Sequence, residues 1–248
     1  MYGTSRGTGM IFEEKRPIIE IGNDPSKIRT LPIKECGEKL VQVRTEKGIF
    51  VSPQYHERGI HSAANHIFVR IEVLNALRIA ASKLPKDINL LLWDGLRTLE
   101  TQMEIYEDAK LAFPLEKRDA LIELYLSKPP ESEAELDDFP PPHSTGGAID
   151  LTLCDATGQP LDMGANFDEF RENAWLAYFE DDRSISYGDK MLDYKNYRRI
   201  LYWAMIEAGF APYPWEFWHY ELGTIVAANF HKLPIAQYGA ALSRKFLQ

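Results

Sequence analysis

Two cysteines, Cys36 and Cys154, are all that this chain of 248 residues contains. They are too few for a disulfide framework, a Cys-rich zinc site or an iron–sulfur cluster. Any bound metal must therefore draw on the six histidines and the carboxylates. Long apolar runs are missing as well. Runs such as Leu90–Trp93 are strand-sized, and even the longest, the seven residues Ile200–Ile206, falls far short of the roughly 20 residues of a spanning helix. Met1 to Arg16 has no apolar stretch of signal-peptide length and carries Glu13 and Glu14. The expectation is a cytoplasmic protein with reduced thiols and no membrane partner. Basic residues are in the minority, 28 Lys and Arg against 37 Asp and Glu, for a formal net charge of −9. Nucleic-acid affinity rests on clustered cations, so no nucleic-acid partner is expected. Neither a Gly-x-Gly-x-x-Gly turn nor a P-loop occurs, which removes the usual nucleotide-binding signatures.

What is present reads as an ordinary globular chain, 45% hydrophobic and 26% charged. The expectation is one domain over residues 1–248, with 1–16 a poorly ordered polar tail and the acidic, Pro-rich stretch 128–142 an exposed loop. Ile18-Ile19-Glu20-Ile21 and Leu40–Val43 read as short strands. Apolar side chains at Ile67, Ile71, Leu74, Leu77 and Ala81 predict a helix over 64–84, ending before Pro85. Asn89–Trp93 reads as a short buried strand, apolar from Leu90 onward. Helices are predicted over 98–113, 115–126 and 189–208, and strands over Ala148–Cys154 and Trp215–Glu221. The elements do not alternate strictly, which favours an α+β fold, a central antiparallel sheet with flanking helices.

Three segments place reactive residues inside apolar elements. In His143-Ser-Thr-Gly-Gly-Ala-Ile-Asp150, a Gly-rich turn leads into a strand that carries a carboxylate between Ile149 and Leu151. An unpaired charge there is costly, and a metal would supply the partner. In Trp215-Glu216-Phe-Trp-His219-Tyr220, Glu216 and His219 lie in an aromatic run. Residues three apart on a strand face opposite sides, so a bend or bulge is needed to bring both into one site. In Trp93-Asp94-Gly-Leu-Arg97, Asp94 and Arg97 sit where a strand meets a loop; taken alone they would be an ion pair tying that loop. Together the segments offer two imidazoles and a carboxylate as zinc ligands, Glu216 as a base and Arg97 as an electrostatic clamp. His56, His61, His66 and His231 lack such surroundings and read as background.

The segments Leu90–Arg97, His143–Leu153, Met163–Phe170 and Trp215–Tyr220 resemble the zinc D-alanyl-D-alanine dipeptidases of the vancomycin-resistance type. These belong to a wider metallopeptidase group with D-alanyl-D-alanine carboxypeptidases, lysostaphin-like enzymes and the hedgehog signalling domain. The resemblance runs from about residue 64 to 222. It implies that His143, Asp150 and His219 hold one zinc ion per chain, that Glu216 is the general base and acid, and that Arg97 stabilises the oxyanion. It makes Asp94 a supporting residue and Asp168, in Met163-Gly-Ala-Asn-Phe-Asp168, the group that holds the substrate's ammonium. Pro141 stands where the family has Ser, Leu96 and Thr98 replace its Tyr and Pro, and Phe217 replaces its Trp. The N-terminal 60 residues match poorly, and Tyr55 is not assigned to the site.

The expected activity is zinc-dependent hydrolysis of D-alanyl-D-alanine or a similar D,D-dipeptide, a small substrate. The alternative is a D,D- or L,D-carboxypeptidase acting on longer murein peptides, from which Asp168 discriminates by binding a free ammonium. A non-catalytic zinc-stabilised binding domain would have lost the base or the clamp, and both Glu216 and Arg97 are present. The sequence assigns neither an oligomeric state nor the exact dipeptide.

Overall fold

The computed structural model describes residues 16–18, 27–126, 128–130, 133–181 and 187–241. In chain order the elements are β1 (Leu40–Val43), β2 (Ile49–Val51), α1 (Gln54–Glu57), β3 (Ile67–Arg70), α2 (Ile71–Ser82) and β4 (Asn89–Asp94). There follow α3 (Leu99–Ala112), α4 (Arg118–Tyr125), α5 (Glu133–Asp138), β5 (Ala148–Cys154), α6 (Lys190–Glu207), β6 (Ala211–Tyr213), β7 (Glu216–Glu221) and α7 (Ile225–Phe230). Five strands form a sheet in the order β2-β4-β5-β7-β6; β2 runs parallel to β4 and the other pairs are antiparallel. β1 and β3 form a separate antiparallel pair. This is the expected α+β class, with a parallel edge strand added to the antiparallel sheet.

β5 is the centre of the sheet and all of its residues are buried. Ile149, Leu151 and Leu153 alternate with Asp150 and Thr152, so even the polar side of the strand lies away from water. Fully burying a Leu or Ile side chain contributes about 1.5–3 kcal/mol, which holds a strand carrying a charged residue in place. α6 packs on β5 and β6, and α2 packs on α6. α3 starts where expected, with Thr98 Oγ1 accepting the Thr101 N–H at 3.1 Å as an N-cap.

Two expectations are corrected. The helix predicted over 64–84 begins only at Ile71, because Ile67–Arg70 pairs with Leu40–Val43 in the register Leu40↔Arg70 to Val43↔Ile67. Ile67 and Val69 are buried on one side of that strand, an alternation that the three-and-four spacing of the following helix obscured. The stretch 128–142 is not simply an exposed loop. It contains α5, and Pro129 and Pro140 are buried. The proposed strand at 18–21 falls on residues 19–21, and most of the tail at 1–16 falls on 1–15, both outside the described residues.

Candidate metal centre and active site

Three adjacent strands bring Asp94, Asp150 and His219 side by side. Leu92 pairs with Leu151, but the next partner of β5 is Asp94, opposite Asp150; Trp93 is the extra residue of a bulge. On the other edge of β5, Asp150 pairs directly with His219 of β7. β7 is itself irregular against β6: Pro212 pairs with Tyr220, yet Tyr213 pairs with Glu216. The alternation of β7 is thus broken between Glu216 and His219, where a shared site demands it.

His143 arrives from a one-turn 3-10 helix, Pro142–Thr145, just before β5. Gly146 ends that turn in the left-handed region, at φ +71°, and a Cβ there would lie 2.8 Å from Leu40 Cδ2. Only glycine meets both conditions without strain. On the opposite side, the backbone of Gly95 passes so close to Phe68 that a Cβ would lie 2.6 Å from its carbonyl oxygen. That close approach seats the Gly95 carbonyl against His143.

The imidazoles and the carboxylate converge. His143 Nε2 lies 3.2 Å from His219 Nδ1 and 3.3 Å from Asp150 Oδ2, and His219 Nδ1 lies 3.0 Å from Asp150 Oδ1. Among the described residues, His143, Asp150 and His219 form the one cluster that could hold a metal ion, with candidate ligand atoms all within 4.8 Å of one another. All three residues are buried.

The outer nitrogens fit this role. His143 Nδ1 faces the Gly95 carbonyl at 2.7 Å, and His219 Nε2 faces Glu221 Oε1 at 3.1 Å. Glu221 is fixed in turn by the Thr224 hydroxyl, which donates to its Oε2. With protons on those outer nitrogens, both inner nitrogens would offer a lone pair to an ion held beside Asp150. Two imidazoles and one carboxylate suit zinc and several other divalent ions. Burial disfavours a charged His219, but its hydrogen bonds to Asp150 and Glu221 outweigh that and push it up to about 10. Burial also opposes the charge on Asp150, yet His143 and His219 hold its carboxyl well below the usual range. The cluster therefore has a strong demand for positive charge, which a divalent ion would meet.

Arg97 is tied down rather than free. Its Nε donates to Asp94 Oδ2 at 2.5 Å, its Nη2 to Asp150 Oδ2 at 2.8 Å and to the Tyr55 hydroxyl at 3.3 Å, and its Nη1 to Gln102 at 3.3 Å. The expected Asp94–Arg97 pair is present and doubles as a bridge to Asp150. Burial raises the Asp94 carboxyl against the pull of Arg97 and His143. Glu216, partly exposed, is pushed up to about 7, chiefly by burial; His219 pulls it down and Asp150 and Asp168 push it up. A carboxyl poised near neutrality can both take and give a proton.

Asp168 lies at the same site. Its backbone is left-handed at φ 57°, and the neighbouring Phe167 ring packs among Tyr55, Trp93 and Trp218 at centroid distances of 5.3, 5.0 and 5.6 Å. Asp168 Oδ1 accepts from the Tyr55 hydroxyl at 3.2 Å and Oδ2 from Arg58 Nη1 at 2.8 Å. Burial pushes its carboxyl up to about 6 despite Arg58 and Arg97.

The family profile described as D-ala-D-ala dipeptidase matches residues 56–234. The chain belongs to this family. It is thereby a metallopeptidase, and the cluster at His143, Asp150 and His219 lies within the matched span. A D-alanyl-D-alanine dipeptidase of Synechocystis sp. is 26% identical over 212 residues, covering 78% of this chain and 85% of that protein. The enzyme of the same name from Escherichia coli is 42% identical over 81 residues, covering 32% of this chain and 37% of its own. That of Enterococcus faecalis is 40% identical over 83 residues, covering 32% and 36%. Among the described residues, no helix is long and apolar enough to cross a membrane.

The dipeptidase profile begins at residue 56, one position after Tyr55, which sequence reasoning left out of the site although its hydroxyl touches both Arg97 and Asp168. Arg58, Glu221 and the Gly95 carbonyl were missed as well. Glu221 carried a usable signal, since residues two apart on a strand share a face and Glu221 follows His219 by two. Tyr55 and Arg58 carried none, because their partner Asp168 is more than a hundred residues away in the chain.

Proposed function

We propose that this chain, acting as one metallopeptidase domain, is a zinc-dependent dipeptidase that cleaves D-alanyl-D-alanine or a similar D,D-dipeptide. The observation that carries the reading is a chain of contacts that starts at Asp168, passes through the Tyr55 hydroxyl and Arg97 Nη2, and ends at Asp150. It keeps a carboxylate that can accept an ammonium within three hydrogen-bond lengths of the metal cluster. A dipeptide carries its ammonium and its scissile carbonyl on either side of a single Cα, so short a span suits it, whereas a longer amino-terminal part would leave Asp168 without an ammonium to pair.

His143 Nε2, the Asp150 carboxylate and His219 Nδ1 would hold the ion. A divalent ion bound there supplies Lewis acidity, lowering the pKa of water and polarising a carbonyl. Glu216 removes the proton from the attacking water, for which a pKa near the operating pH is an advantage, and later passes it to the leaving amine. Arg97, held by Asp94, turns its positive charge and the one Nη1 N–H not taken by Gln102 to the oxygen on which negative charge grows as the carbonyl becomes tetrahedral. Asp168 anchors the ammonium. Trp93, Phe167 and Trp218 form an apolar wall that keeps water away and strengthens each of these interactions.

The test is a panel of D,D-, L,D- and L,L-dipeptides and a D-Ala-terminated pentapeptide, given to zinc-loaded protein with free amino acid as the readout. Release of D-alanine from D,D-dipeptides alone supports the reading. Preferential trimming of the pentapeptide would instead establish a carboxypeptidase.

A further inference from the structure

Both oxygens of Asp168 are engaged by groups of the chain itself. Oδ1 takes the Tyr55 hydroxyl, and Oδ2 takes Arg58 Nη1 at 2.8 Å. Arg58 also donates from Nη2 to the Phe167 carbonyl at 3.1 Å, and its guanidinium lies 4.7 Å from the centre of the Phe167 ring. Contacts to two successive residues fix the guanidinium relative to this turn, unlike a chance surface pair. The Arg58 side chain is 40% exposed and that of Asp168 21%, so the cation is the more solvent-exposed member of the pair.

This arrangement changes what the subsite selects. A lone carboxylate attracts any ammonium. A carboxylate paired with a guanidinium is close to neutral, and an ammonium approaching it also meets the like charge of Arg58. A ligand that brings an ammonium and an anion together reverses that balance. Its ammonium pairs with Asp168 and its anion with Arg58, and four charges alternate in sign. Specificity built from a repulsive element as well as an attractive one discriminates more sharply than attraction alone.

We propose that Arg58 is a specificity-determining residue that tunes the site to dipeptides whose first residue has an acidic side chain. The proposal rests on the reading of Asp168 as the ammonium site. A single-carbon side-chain stem, as in D-aspartyl-D-alanine, keeps the substrate carboxylate close to its own ammonium and so within range of the neighbouring Arg58.

The test compares D-Asp-D-Ala, its neutral isostere D-Asn-D-Ala, and D-Ala-D-Ala on the zinc-loaded full chain, as wild type, Arg58→Gln and Arg58→Lys. The wild type is expected to favour D-Asp-D-Ala over D-Asn-D-Ala roughly fivefold in kcat/KM, carried by KM, as one partly exposed charge pair would give. Arg58→Gln should erase that ratio and lower KM for D-Ala-D-Ala, and Arg58→Lys should retain most of the ratio. A wild-type ratio near one, or a ratio that survives in Arg58→Gln, overturns the role of Arg58 while hydrolysis of the other dipeptides still supports the dipeptidase reading. If none of the three is cleaved by any of the proteins, the dipeptidase reading falls and the role of Arg58 falls with it.

Discussion

Asp150 and His219 face one another across neighbouring strands, with His219 Nδ1 3.0 Å from Asp150 Oδ1. The pairing is a matter of backbone register, so the sheet itself sets the spacing of two candidate ligands. His143 needs only the turn before β5 to join them. Substituting Asp150 should therefore remove the metal without unfolding the sheet. Protein with zinc at about a hundred times its Kd should gain about 2.7 kcal/mol of stability. Asp150→Asn should show none of that gain in thermal melts with and without zinc. An undiminished zinc-dependent rise in Tm for this variant would show that the metal binds elsewhere.

Glu221 touches His219 on the side away from the other candidate ligands. Glu221→Gln leaves an oxygen for the His219 N–H but removes the charge that makes the ring a better donor to the metal. Zinc affinity, read by competition with a chromogenic chelator, should fall about tenfold. An unchanged Kd would mean that Glu221 serves only to hold Thr224.

The pH dependence of kcat/KM should report Glu216 and Asp168, the carboxyls pushed up to about 7 and about 6. Both must be ionised, one to accept a proton and the other to hold an ammonium. Activity should therefore rise with pH through neutrality and fall again as the substrate's own ammonium loses its proton at about 8. A bound cation favours the ionised forms, so the midpoint of the rising limb belongs at or below about 7 in zinc-loaded protein. A rising limb centred well above 7 would assign the base to another group.

Glu216 has a cost in stability whose sign follows from the same shift. Its folded pKa of about 7 exceeds its ordinary 4.5, so the protonated form favours folding. That contribution is fully present below about 4.5 and is lost as the pH rises to about 7. Glu216→Gln removes the partly buried charge. Urea titrations in the presence of chelator should show the variant more stable than wild type by on the order of 1–3 kcal/mol at pH 8. The two should be equal at pH 4. Turnover should be abolished in the same variant while zinc still binds. A variant that matched the wild-type rate would exclude Glu216 as the base.

Much of this site can be read directly from the chain. His143, Asp150, Glu216 and His219 stand out because polar residues interrupt apolar runs, and a buried charge demands a partner wherever it occurs. The sequence also required a break in β7 between Glu216 and His219, and the shift from Pro212↔Tyr220 to Tyr213↔Glu216 meets it. The strand at Ile67–Arg70 was hidden because its apolar residues run without interruption into the periodicity of α2, and only its partner β1 distinguishes the two. Buried Pro129 and Pro140 were hidden for the opposite reason, since acidic and Pro-rich composition describes a segment's solubility but not its neighbours.

The sequence by itself determined the donor chemistry: scarce cysteine, two histidines and an aspartate placed beside glycines and aromatic strands, and a glutamate and an arginine within reach. Local patterning is enough for this, because burial of a charged group is penalised whatever the wider fold. The tertiary structure alone decided which nitrogen of each imidazole turns inward, that Arg97 bridges Asp94 and Asp150, and that Tyr55 and Arg58 close around Asp168. Those relations depend on strand register, on two bulges and on side chains brought together across more than a hundred residues. Hydrogen bonds act over about 3 Å, and spacing along the chain carries no information at that range between distant segments.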